Sequence, residues 1–165
     1  HCGEIDQQGL KPRNDAIILY DIKRPGFVQH FTWEGCVVKL SDKIAFLGRD
    51  LQDARRYHML DMSCYRQLRE IVYGTLGLTS SGEILSHSSG HAINTTVLIN
   101  DMVVDLCKNS SPEEGLCFSQ PYFRFITELK RFSFEKIYCH WRLLEFKSYA
   151  ENILRTIFKF LVQTQ

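Results

Sequence analysis

Residues 32–57 read TWEGCVVKLSDKIAFLGRDLQDARRY and contain a regular apolar pattern. The apolar side chains recur at steps of three and four, which places them on one face of an α-helix. This face consists of Val37, Leu40, Ile44, Leu47, Leu51 and Ala54. The sequence therefore predicts an amphipathic helix over 32–57, with Thr32 as its N-cap and with this face in the core.

A second row of side chains on the same predicted helix is polar. It also advances by three or four residues and so forms a stripe of its own. Its members are Asp42, Phe46, Arg49, Asp50 and Asp53. Three carboxylates and an arginine beside an aromatic ring are typical of a solvated helix face, and they also suit the floor of an active site. The spacing alone leaves both interpretations open.

Size and composition indicate one soluble globular domain. The chain has 165 residues, of which 44% are hydrophobic and 24% charged, and its net charge is +1. This balance gives no electrostatic reason to expect nucleic acid as a partner. No apolar run approaches the roughly 20 residues of a membrane span, and no signal peptide is visible. We therefore expect a cytoplasmic protein without a membrane segment.

The cysteines favour the same compartment. Six of them are scattered along the chain without a CxxC pair. In a chain without a secretion signal this distribution is typical of free thiols in a reducing cytosol, and it disfavours a zinc site.

Helical patterns dominate the rest of the chain, so we expect an all-α fold and a single domain over 1–165. Residues 1–31 form a loop-rich lead-in, where 15–20 could be a short strand or one helical turn, and residues 63–165 carry the C-terminal helices. The expected helices cover 63–76 with Gly77 as a stop, 90–106, 122–130 and 133–162. The side chains expected to point inward are Ile93, Val97, Leu98 and Val104 of the third helix, and Ile137, Trp141, Leu144, Phe146, Ile153, Ile157, Phe158 and Leu161 of the last one.

Three segments resemble one enzyme family. EGCVVKLSDKIAFLGRDLQDA (34–54) resembles the final metal-ligand helix of HD-domain triphosphohydrolases, the dGTPases and dNTPases. VLINDMVVDL (97–106) resembles the family's next helix, and FSQPYFRFITELKRFSFEKIYCH (118–140) resembles a later segment. The resemblance covers most of 32–161. It implies a helical HD-domain fold and hydrolysis of a deoxynucleoside triphosphate to deoxynucleoside and triphosphate.

The resemblance also implies roles for the polar stripe. Asp42 matches the last metal ligand of the family, and the expected cofactor is a divalent ion such as Mn, Mg, Fe or Co. Phe46 stands where the family commonly has a tyrosine beside the substrate sugar. Asp50 matches a position that meets the sugar 3′-hydroxyl, a role that suits an acceptor-only carboxylate. Arg49 could reach phosphate or pair with Asp53.

The first residues resemble another family motif. His1, Gly3 and Glu4 match a His-x-Gly-Glu run that borders the phosphate pocket, which makes His1 and Glu4 candidate catalytic residues. No His-Asp dipeptide occurs in the chain. The family's first metal histidine and its His-Asp pair would therefore precede His1. We accordingly expect the C-terminal portion of a longer enzyme, and we expect this chain alone to be inactive.

Two other functions remain open on the sequence. One is a different HD nucleotide phosphodiesterase. The other is a non-catalytic helical HD module that serves oligomerisation or regulation, which the missing His-Asp pair favours. The resemblance implies a dNTP substrate as the main partner, and it is compatible with a homo-oligomer.

Overall fold

The chain folds into helices, as the sequence predicts. The computed structural model describes residues 9–14, 16, 20, 30–84 and 93–163, and their side chains except those of 78–84. Within these ranges there is no strand, and no helix is long and apolar enough to cross a membrane. The helices are α1 (Trp33–Arg56), α2 (Met62–Ile84), α3 (Thr95–Asn109), α4 (Gln120–Ser133), a π-helical turn (Phe134–Tyr138) and α5 (Trp141–Gln163).

Local capping explains where α1 begins and ends. The Thr32 side chain accepts a hydrogen bond from the Gly35 amide at 3.2 Å, as an N-cap does. At the other end His58 adopts a φ of 54°, and its amide donates to the Arg55 carbonyl at 3.1 Å. The Met59 amide donates to the Ala54 carbonyl at 2.8 Å, which completes a Schellman motif. The predicted helix and its N-cap are confirmed, with each end within one residue.

The apolar face of α1 packs against α3 and α4, and α2 packs against the same two helices. Leu40, Ile44 and Leu47 are buried in the resulting core. Val37, which was predicted to join them, is about half exposed, so that prediction is wrong. Val37 lies about 60° around the helix from Leu40, at the margin of the buried face and near its end.

The approach of α3 to α1 depends on a glycine. A Cβ atom placed on Gly48 would lie 2.7 Å from Cδ1 of Ile99, closer than side-chain contacts normally allow. The missing side chain therefore lets the two helices pack closely at this point.

The second and third helices follow the predictions with two differences. Gly77 interrupts the helical backbone as expected, with φ 76° and ψ 176°, but helical residues continue beyond it to Ile84. The third helix begins at Thr95, because the Asn94 side chain caps the Val97 amide at 3.3 Å. Val104, which was predicted to point inward, is exposed, and Met102 is buried instead.

Two other predictions concern the lead-in and the thiols. Leu10 is buried and exchanges backbone hydrogen bonds of 2.8 and 3.0 Å with Leu116, which ties the lead-in to the core. Most of the uncertain element at 15–20 lies outside the described residues. The five described cysteines are free, as predicted: Cys36, Cys64, Cys107, Cys117 and Cys139.

The last helix differs most from its prediction. A continuous helix over 133–162 is wrong, because the chain passes through the π-helical turn and then leaves helical geometry at Cys139, with φ −89° and ψ 6°. The expected core residues Trp141, Phe146 and Phe158 are 62%, 66% and 70% exposed. Of the other residues expected to point inward, Ile137 is buried as predicted, whereas four are exposed: Leu144, Ile153, Ile157 and Leu161. α5 has no buried residue. The prediction failed because an amphipathic pattern identifies an apolar face but does not show which element covers that face.

Two neighbouring phenylalanines provide a test of the core. Phe132 is 1% exposed, whereas Phe134 is 62% exposed. Phe132→Ala should lower the free energy of unfolding by about 3–5 kcal/mol, because it leaves a cavity in the centre of the fold. Phe134→Ala, the matched control, should cost less than about 1 kcal/mol. Urea denaturation of both variants measures these values, and equal losses would contradict the packing described here.

Candidate functional site

A cavity of about 400 Å³ lies between α1, α4 and the π-helical turn. Binding sites for small molecules commonly have volumes of this order. Its lining comes from α1 (Asp42, Lys43, Phe46, Leu47), from α4 (Lys130, Ser133) and from the turn (Phe134, Tyr138). Asp42 and Phe46 lie one helical turn apart, so α1 presents both to the same wall. The structure thus places two residues of the predicted polar stripe in the wall of a cavity.

Asp50 belongs to this site through a contact with the turn. The Tyr138 hydroxyl donates a hydrogen bond to a carboxylate oxygen of Asp50, across 88 residues of sequence. Burial raises the pKa of Tyr138 well above its usual value, and the hydrogen bond to the Asp50 carboxylate raises that pKa further. The phenol therefore stays protonated at physiological pH and remains a donor to Asp50.

Arg49, another predicted site residue, does not line the cavity. Arg49 is exposed, and the α1 wall of the cavity ends at Leu47. Arg49 lies seven residues beyond Asp42, about 10 Å along the helix axis, so it shares the stripe but lies past the cavity. His1 and Glu4 lie outside the described residues.

The polar groups of the lining suit an anionic ligand. Lys43 and Lys130 bring two positive charges against the single negative charge of Asp42. The Ser133 side chain is 1% exposed, and its buried hydroxyl has no hydrogen-bond partner. A buried hydroxyl without a partner costs free energy, and a ligand oxygen in the cavity would remove that cost.

The π-helical turn determines how the second wall is formed. Phe134 and Tyr138 are its first and last residues, and both line the cavity. π-Helical turns are rare and occur frequently at functional sites, because the wider turn changes the direction of the side chains. The geometry that brings Tyr138 to Asp50 therefore depends on this irregular segment.

A metal centre needs several ligands close together. In the part of the chain that the structure describes, no group of three or more His, Cys, Asp or Glu side chains is arranged to hold a metal ion. The described residues therefore do not form a metal centre by themselves, and Asp42 offers a single carboxylate.

Sequence reasoning did not single out five of the lining residues: Lys43, Lys130, Ser133, Phe134 and Tyr138. Lys130 and Tyr138 lie in segment 118–140, where the family resemblance offered a usable signal. Ser133 is the last residue of α4 and Phe134 is the first residue of the π-helical turn. Apolar periodicity does not predict where α4 ends or that a π-helical turn follows, so sequence patterns offered no signal for these two residues.

Comparison of the chain with protein-family models, with curated proteins and with solved structures finds no match. The functional interpretation therefore depends on the cavity and on the motifs of the sequence.

The contact between Asp50 and Tyr138 can be measured with a double-mutant cycle. The variants are Asp50→Asn, Tyr138→Phe and their combination. A hydrogen bond to a carboxylate in a half-buried setting should give a coupling energy of about 1 kcal/mol in the free energy of unfolding.

The exposed ion pair Glu151–Arg155, with 2.6 Å between its charged atoms, serves as the matched control. Its coupling energy should stay below about 0.5 kcal/mol, because solvent screens the charges. A coupling of zero for Asp50 and Tyr138 would mean that the two side chains do not meet in solution.

Proposed function

We propose that this chain is the nucleotide-binding portion of a metal-dependent HD phosphohydrolase that hydrolyses a deoxynucleoside triphosphate to deoxynucleoside and triphosphate. One observation carries the proposal. Asp42 and Phe46 lie in the wall of a cavity of about 400 Å³, and Asp50 is joined to that cavity by Tyr138. These are the three positions to which the family resemblance gives a metal, a sugar-packing and a sugar-hydroxyl role.

The charges favour phosphate near Asp42 and the lysines. A triphosphate carries several negative charges, and Lys43 and Lys130 offset them within the cavity. Ser133 adds a hydroxyl that can donate to a phosphate oxygen. These side chains bind and orient the phosphates.

The opposite end of the polar stripe suits the sugar. Asp50 lies eight residues beyond Asp42, about 12 Å along the axis of α1, which is too far for both carboxylates to bind one metal ion. Tyr138 donates to one carboxylate oxygen of Asp50 and leaves the other available to accept a sugar hydroxyl. Phe46, which lies between Asp42 and Asp50 on α1, and Phe134 provide apolar surface in the cavity.

The proposed metal requires ligands beyond the described residues. Asp42 would contribute one oxygen to a divalent cation, and the histidine ligands that the resemblance implies are not among these residues. When bound, such an ion would orient phosphate and lower the pKa of the attacking water. Within this chain, Asp42 holds one position of that site, and the lysines, Ser133 and Asp50 position the nucleotide.

The test uses the full-length protein that contains this chain, with Mn²⁺ and each of the four deoxynucleoside triphosphates. We expect release of intact triphosphate, and we expect Asp42→Ala to lower the rate more than about 100-fold through the loss of a metal ligand. The matched control is Asp53→Ala, which removes the same charge from the same helix outside the cavity. It should keep the rate within about threefold.

The reaction product distinguishes this function from its alternatives. Stepwise release of phosphate, or activity on phosphodiesters alone, would indicate a different HD phosphohydrolase. No turnover by the full-length protein, with its fold intact by circular dichroism, would favour the non-catalytic helical module. Equal losses in Asp42→Ala and Asp53→Ala would remove Asp42 from the site.

A further inference from the structure

α5 exposes a continuous apolar face. We define the α5 seam as Leu143, Phe146, Ala150, Ile153, Leu154 and Ile157. Phe146, Leu154 and Ile157 are at least half exposed, and α5 contains no buried residue. A contiguous apolar face of this kind on a soluble domain marks an interaction surface.

The spacing of the seam indicates the kind of partner. Leu143, Phe146, Ala150, Ile153 and Ile157 follow one another at steps of three, four, three and four residues, and Leu154 lies beside this row. This is the a/d repeat by which one helix packs along another, knobs into holes. We propose that α5 pairs antiparallel with α5 of a second copy of this chain, and this inference does not rest on the proposed function.

The available area is sufficient for such a dimer. From their exposed fractions, the seam residues together with Tyr149, which flanks the seam, offer roughly 550 Å² of apolar surface on each copy. A stable interface of standard size buries about 800 Å² on each partner. The two helices can therefore supply most of an interface without help from the rest of the fold.

Charge determines the orientation. Arg142 and Lys147 flank the seam at g and e positions of the repeat. A parallel pair would place Arg142 of each copy opposite Lys147 of the other, and like charges at these positions repel. An antiparallel pair separates them.

The shape of the chain favours the same orientation. α5 is attached to the fold at its first residues, where the Arg142 side chain donates to the Tyr57 carbonyl at 3.1 Å. An antiparallel pair places the two folds at opposite ends of a helix about 35 Å long, so that they do not collide. It also sets Phe146 opposite Ile157, and Ala150 opposite Ile153, so the large Ile153 meets a small side chain.

Sedimentation equilibrium of the 165-residue chain tests the dimer. The expected mass is twice the 19.2 kDa of one chain, falling toward one chain on dilution. Phe146→Glu combined with Ile157→Glu should weaken association more than about 100-fold, because each dimer then buries four carboxylates. Ser148→Glu with Asn152→Glu adds the same charge on the opposite, polar side of α5 and should leave the dissociation constant within about threefold. Circular dichroism checks that all variants keep their helices.

Lys147→Glu tests the orientation. It should leave the antiparallel dimer within about threefold of the original affinity, whereas it would tighten a parallel dimer about tenfold by converting repulsion into attraction.

Three results would overturn the proposal. They are a monomer at every concentration, a dimer that survives the seam substitutions, and a monomer that binds vesicles containing anionic lipid through Phe146 and Ile157. The last result would assign the face to a membrane surface.

Discussion

Burial of one face of α1 between α3 and α4 is the constraint on which the rest of the structure depends. Leu40, Ile44 and Leu47 lie in the core, which fixes the rotation of α1 about its axis. Because each residue advances about 100° around a helix, the core face determines the direction of the polar stripe as well. Asp42 and Phe46 then face the gap between α1 and the end of α4, where the cavity lies.

The second wall of the cavity depends on how α4 ends. Phe125 and Phe132 are buried in the core, so α4 is held firmly up to its last turn. The chain then widens into the π-helical turn, whose last residue Tyr138 meets Asp50. A regular helix forms one wall, an irregular turn forms the other, and the hydrogen bond between Tyr138 and Asp50 joins them at the edge.

Part of this arrangement could be predicted from the sequence. The ends of α1 follow from a capping threonine and from apolar residues at helical spacing, which are local signals. The meeting of Asp50 and Tyr138 is not local, because 88 residues separate them and neither spacing nor composition brings them together. The π-helical turn breaks the period on which the prediction of the last helix depended. The apolar pattern of α5 was read correctly as amphipathic and wrongly as core, since the pattern does not encode which surface covers it.

The central proposal is that the cavity beside α1 binds the nucleotide, with Asp42 toward the phosphates and Asp50 toward the sugar. The most direct test is a heteronuclear NMR titration of the 165-residue chain with each deoxynucleoside triphosphate. The account predicts that at least one nucleotide shifts the amide signals of Phe46, Ser133 and Tyr138 in the millimolar range, while signals of α5 beyond Ser148 do not move. Shifts confined to residues away from the cavity, or none with any of the four nucleotides, would contradict it.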